Sequence, residues 1–106
     1  MRDQAMKEIF LRRGFDQKVR RFVRLRLVSR DGNGGFICRP LPGNKQTYHI
    51  MHENGALVCR EALKHTLCDG YLAKMKRGPN PSCSHCEAVR HVFPEVNQGV
   101  LFQETL

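Results

Sequence analysis

All five cysteines of this 106-residue chain lie beyond residue 37, at Cys38, Cys59, Cys68, Cys83 and Cys86, with His49, His52, His65, His85 and His91 in the same stretch. An odd cysteine count argues against a closed disulfide framework. The opening sequence MRDQAMKEIFLRRGF is charged throughout and has no apolar middle of the kind a signal peptide needs. The expectation is a reducing intracellular compartment, cytoplasmic or nuclear, where clustered Cys with interleaved His means metal more often than cross-link. Zn2+ suits such a set, because it takes thiolates and imidazoles in tetrahedral coordination. Cys38, alone in an apolar run, reads as a small buried hydrophobe.

Cys83-Ser-His85-Cys86 places three donors within four residues, directly before a segment with helical character. Cys59, His65 and Cys68 lie upstream at a distance a loop can close. Two ligand sets compete: His65, Cys68, Cys83 and Cys86, with paired two-residue spacings, or Cys59, Cys68, Cys83 and His85, with a C-x-H step. A structural zinc contributes roughly 10–16 kcal/mol of apparent binding energy in small finger peptides. A whole domain is stable by only about 5–15 kcal/mol. The Cys/His half has few large apolar residues, so metal would decide whether it folds.

Charge is biased the other way. Residues 1–30 hold ten Lys/Arg against three Asp/Glu, a balance of +7, within a chain whose formal net charge is +8. Asp3 can cap a short helix that lines up Met6, Ile9 and Phe10 and stops at Gly14. From Lys18 to Arg30 the pattern reads as period two, a strand with Val19, Val23, Leu25 and Leu27 on one face. The other face then carries Arg20, Phe22, Arg24, Arg26 and Arg30, with neighbours roughly 6.5–7 Å apart. Such a stripe suits a phosphate backbone, with Phe22 free to stack on a base. Asp31–Gly35 marks a turn and Gly35–Arg39 the returning strand. Further strands are expected over Gln46–His52 and Ala56–Cys59 around an Asn54-Gly55 turn, and an edge strand over Gly99–Gln103. Helices are expected over Arg60–Leu67 and Ser84–Val92, the second with Ala88, Val89 and Val92 inward.

The expected fold class is α+β: a small antiparallel β-sheet with a zinc-stabilised Cys/His region closed by a C-terminal helix, in one domain over 1–106. Residues 1–45 form a basic helix and hairpin, 46–93 a zinc-finger-like region, and 94–106 a tail or edge strand. Tyr48-His-Ile, Gly55-Ala-Leu-Val-Cys59, Cys68-Asp-Gly-Tyr71 and Cys83-Ser-His85 with Ala88-Val89 together resemble a SWIM-type zinc finger over about residues 46–92. In that family an aromatic-led strand, a turn and a C-x-C step precede a C-x-H step at the start of a helix. The resemblance favours Cys59, Cys68, Cys83 and His85 as ligands. Either a turn over Arg60–Leu67 separates the first two, or His65 replaces one of them.

The resemblance implies binding to DNA or to protein partners. With the basic face, the expectation is an intracellular zinc-binding module that contacts nucleic acid. The alternative is a zinc-stabilised protein–protein adaptor, or an inhibitor of a nucleic-acid-processing partner, meeting an acidic protein surface. Neither a membrane nor a small-molecule substrate is expected, since no apolar run approaches the roughly 20 residues of a spanning helix. Nor is catalysis: a zinc nucleobase deaminase needs H-x-E, whereas His52 and Glu53 are adjacent. His49, His52 and His91 read as surface histidines.

Overall fold

The computed structural model describes residues 14–78 and 81–96. The expected helix from Asp3, and the edge strand over Gly99–Gln103, lie outside the described residues. The element order is a helix over 14–24 (α1), then β1 (Val28–Arg30), β2 (Phe36–Cys38), β3 (Tyr48–Glu53), β4 (Ala56–Glu61), α2 (Asp69–Arg77) and α3 (Ser84–Val92). Among the described residues the fold is α+β, with helices α1 to α3 and an antiparallel meander in the order β1-β2-β3-β4.

The basic segment is a helix where a strand was expected. Phe15, Val19, Phe22 and Val23 follow helical spacing, and Val19 and Phe22 are buried with Phe15 and Val23 packed against the same core. Strict period-two alternation runs only from Val23 to Leu27, across the helix end, and burial selects the helical solution before it. Gly14, expected to stop a helix, is the first described residue and is itself helical. The helix stops at Arg26, whose φ is 55°. The Arg26 N–H donates to the Val23 carbonyl (3.1 Å) and the Leu27 N–H to the Phe22 carbonyl (3.1 Å), the paired bonds of a Schellman motif. Arginine occupies the left-handed position that glycine usually fills, so the sequence carries no visible stop signal there.

In the sheet, Val28 faces Cys38, Phe36 faces Ile50 and Ile50 faces Cys59, so one side of the meander is a continuous apolar row. Every residue of that row is buried. α3 lies across this row and touches all four strands. It presents Cys86, Ala88 and Val89, each 0% exposed, while the Phe93 ring beyond it meets Phe36 at 5.0 Å. α3 spans the expected residues. The Asn54-Gly55 turn also forms as expected, with φ of 54° and 82° suiting a two-residue hairpin.

Arg60–Leu67 is not helical. It leaves β4 and returns through a turn at 62–64 to an isolated bridge between Arg60 and Leu67. α2 was not expected, because only Tyr71 on it is buried and it carries no apolar stripe. Among the described residues, no helix is long and apolar enough to cross a membrane.

The β1–β2 hairpin is closed by Asp31. Its Oδ1 accepts the N–H groups of Asn33 (2.6 Å) and Gly35 (2.9 Å), and its Oδ2 pairs with His49 Nε2 on β3. A Cβ at Gly35 would sit 2.6 Å from Asp31 Oδ2, so only glycine lets the carboxylate close in. The hydrogen bond to His49, then those from Asn33 and Gly35, bring the Asp31 carboxyl down to about 2.

Two predictions follow from these local structures. Arg26→Gly should raise stability by about 0.5–1 kcal/mol, since a non-glycine residue in the left-handed region costs roughly 1–2 kcal/mol, partly offset by glycine's greater freedom in the unfolded chain. Denaturant titration should show a higher midpoint and an unchanged slope. Because the folded pKa of Asp31 is depressed, its stabilising contribution is complete above the unfolded value of about 3.9 and is lost as pH falls through about 2. An acid-unfolding curve of Asp31→Asn should therefore lack this component of the fall between about pH 4 and pH 2.

Candidate metal centre

Each donor of the centre is delivered by a different local rule. β4 alternates, so Leu57 and Cys59 point to the covered side of the sheet and are 2% and 0% exposed. The chain then leaves the sheet, and the excursion is pinned by Glu61 N–H to Thr66 C=O (2.8 Å) and His65 N–H to Glu61 C=O (2.9 Å). Arg60 steadies it with bonds to both Glu53 oxygens and to the His65 carbonyl. On return, the Cys68 N–H donates to the Cys59 carbonyl at 3.1 Å. Two cysteines far apart in sequence thereby become neighbours.

Cys68 is the N-cap of α2, where its Sγ accepts the Tyr71 N–H at 3.3 Å. Cys83 is the N-cap of α3 and makes no side-chain cap bond, leaving its sulfur free to turn inward. The two helix starts adjoin: a Cβ on Gly70 would lie 3.4 Å from Cys83 Cβ. Both N-termini thus direct their positive dipole ends at sulfur, which favours thiolate over thiol.

His85 follows in the first turn of α3. Its ring stacks on Tyr48 (3.9 Å between centroids, 21° between planes) and meets Phe22 edge-on at 5.2 Å. This packing aims Nδ1 at the sulfurs: it lies 3.5 Å from Cys59 Sγ and 3.6 Å from Cys83 Sγ. All four donor atoms, from Cys59, Cys68, Cys83 and His85, lie within 4.8 Å of one another, and all four residues are buried. A tetrahedral site with bonds of about 2.3 Å to sulfur and about 2.0–2.1 Å to nitrogen requires S···N separations of about 3.6 Å. The observed pair matches. These residues can hold a metal ion.

The protonation pattern agrees with that chemistry. Hydrogen bonding to Cys68, Cys83 and Cys86, reinforced by burial, pushes the Cys59 thiol up. Hydrogen bonds with Cys59 and Cys68 bring Cys83 down to about 6 despite burial. Burial pulls His85 down, but its bonds to Cys68 and Cys83 and their charge outweigh this and lift it. Protons are thus shared among buried groups too close to ionise together, and a cation would relieve that repulsion. Cys38 stands apart, pushed up to about 12 chiefly by burial, as suits a buried hydrophobe.

The second ligand set is therefore the one brought together, with the turn at 62–64 between its first two members. His65 is not among these donors; it is exposed in a left-handed conformation (φ 61°) at the outer end of the turn. Cys86 is fully buried with its sulfur 3.7 Å from Cys83 Sγ, but lies outside the four-donor group.

The arginine stripe is rearranged. Arg20 and Arg24 are exposed on α1, Arg26 caps it, and Arg30 on β1 pairs with Glu95 while lying over the Phe93 ring at 4.5 Å. Phe22 is 3% exposed and packs on His85, so it is not available to stack on a base. Contact of Phe22 with the imidazole is the feature sequence reading missed most plainly. His49, expected on the surface, is half-buried and engaged with Asp31.

Compared with family models, curated proteins and solved structures, the chain finds no match.

Metal titration separates the donors. Cys59→Ser, Cys68→Ser, Cys83→Ser and His85→Ala should each weaken binding by more than the roughly 10–100-fold typical of losing an outer-shell partner. His65→Ala and Cys86→Ser should retain one ion per chain. Affinity should fall as pH drops, because protons compete for the same thiolates and imidazole.

Proposed function

We propose that the protein is a small zinc-binding module that engages the phosphate backbone of nucleic acid through a basic helix face. The observation that carries the zinc half is the buried Cys59, Cys68, Cys83 and His85 cluster with tetrahedral S···N spacing. Three soft thiolates and an imidazole favour Zn2+ over hard cations such as Mg2+ or Ca2+. Four protein donors fill a tetrahedral shell, which supports a structural rather than a catalytic ion. The SWIM-like reading is supported by the C-x-H step at the start of α3, with Ala88 and Val89 buried behind it.

The nucleic-acid half rests on α1. At 100° per residue, Gln17, Arg20, Arg21 and Arg24 share the face opposite Phe15, Val19 and Phe22, and all four are exposed. Three guanidiniums on two turns of one helix form a compact cationic surface. Bidentate geometry makes arginine well suited to phosphate. No base-reading element accompanies it, so the contact would be with backbone and without sequence preference.

A second reading, the adaptor, is favoured by apolar side chains left in solvent: Leu63 at the tip of the 62–64 turn is 94% exposed, and Leu72 and Met75 on α2 are 39% and 48% exposed. Competition between an oligonucleotide and a captured protein partner separates the two.

Binding of the metal-loaded protein to an oligonucleotide should weaken linearly with log salt, by about 0.7–0.9 log unit per phosphate contact. Replacing Arg20, Arg21 and Arg24 together with Gln should reduce that slope by about two to three such contacts. A slope unchanged by the triple substitution would remove α1 as the contact.

A further inference from the structure

A pocket of about 350 Å³ adjoins the candidate metal centre, lined by His85 but by none of the cysteines. Lys18 of α1, Lys45, Asn44 and Gly43 of the β2–β3 connection, and His85 of α3 contribute to its lining. Leu41–Asn44 is a tight turn with Pro42 and Gly43 at its centre, closed by Asn44 N–H to Leu41 C=O at 2.9 Å. Gly43 takes φ +91°, as the third position of this turn type requires, and the turn sets Asn44 and Lys45 at the pocket.

The charge of this lining is one-sided. No Asp or Glu lines it, and neither lysine has an ion-pair partner among the described residues. Gln46 and Tyr48, also at the pocket, are already engaged: Tyr48 O–H donates to Gln46 Oε1, and Gln46 Nε2 donates to Glu61 (both 2.7 Å). What remains available is two ammonium groups, one exposed side-chain amide and the imidazole.

The imidazole is the decisive member. His85 is 7% exposed, its Nδ1 faces buried Cys59 and Cys83, one ring face is covered by Tyr48, and Phe22 meets it edge-on. Its Nε2 has no partner among the described residues. Nε2 is not among the enclosed side-chain polar atoms left without a partner in the described residues, and His85 lines the pocket, which is where that nitrogen finds room for an acceptor. A metal-ligating histidine ordinarily donates its second N–H to an acceptor, which fixes the ring. Here the described residues supply none. Coordination through Nδ1 places the remaining proton on Nε2, so loading the metal makes Nε2–H an obligate donor aimed between two lysines.

We propose that this pocket is an anion site for a phosphate group, held by His85 Nε2–H and by the ammonium groups of Lys18 and Lys45. The inference rests on the metal reading above, and it extends the nucleic-acid reading by naming atoms that would meet one backbone phosphate. A free phosphate and a phosphodiester share the recognising chemistry: oxygen acceptors carrying negative charge. The bound phosphate would complete the outer shell of His85, so metal and anion should each tighten the other's binding.

The test uses the metal-loaded full chain at constant ionic strength, titrated first with inorganic phosphate and then with a single-stranded oligonucleotide, and followed by 1H–15N NMR. Phosphate should shift the Asn44 and Lys45 amides and the His85 Nε2–H saturably. Lys18→Ala with Lys45→Ala should weaken that binding roughly tenfold or more. His85→Cys keeps four metal donors while deleting Nε2–H; it should bind metal at one ion per chain and lose phosphate affinity by a similar factor. Unchanged phosphate binding by both variants, or no saturable shift in the native protein, overturns the pocket. Oligonucleotide binding that survives in that case leaves the α1 surface standing without it. Saturable phosphate binding without oligonucleotide binding supports the pocket for a free phosphate and removes the nucleic-acid reading.

Discussion

Bringing three thiols and an imidazole within 4.8 Å in the interior sets the terms for the rest of this structure. Thiolates so close repel one another strongly where water cannot screen them, and burial penalises each charge again. Two arrangements can hold the groups there: most of them neutral, or a cation among them. The sheet, the α2 and α3 starts and the turn at 62–64 all converge on this point. α3 is also held by the apolar row of the sheet, whereas α2, nine residues long with only Tyr71 buried, depends mainly on this point, and a helix of that length is marginal alone.

The centre also ties α1 to the sheet and to α3. Phe22 brings α1 against one side of His85, Tyr48 brings β3 against a ring face, and Nδ1 faces β4 and the α3 cap. Lys74 over the Phe15 ring, at 4.9 Å, ties α2 back to α1. The orientation of one imidazole therefore depends on four elements at once. The cationic outer face of α1 is the reverse of the face that packs on that ring.

Some of this was legible in the residue order. α3 shows itself through Ala88, Val89 and Val92 at helical spacing after a Cys-x-His step, and the Asp31–Gly35 and Asn54-Gly55 turns through residues that tolerate positive φ. The donors were legible as two competing sets that share Cys68 and Cys83, and the structure brings together the one with the C-x-H step. α1 was not, because arginines alternate with apolar residues over Val23–Leu27 at its end, which invites a strand reading, and because its stop is an arginine in a glycine's conformation. α2 was hidden by its lack of a buried stripe; its one signal was Asp69 in the first turn with Lys74, Lys76 and Arg77 in the last, the charge order a helix dipole favours.

Sequence alone determined which atoms can bind a soft cation, where the hairpins turn and that the positive charge gathers early, since these depend on residue type and short spacing. Tertiary structure decided which cysteines meet, because Cys59 and Cys68 become neighbours only through a backbone hydrogen bond across an eight-residue excursion. It also decided that Phe22 serves the interior while Arg20, Arg21 and Arg24 face water. That choice turns on which of two overlapping patterns buries more apolar surface against the sheet and α3. No local preference contains that information; only the assembled core does.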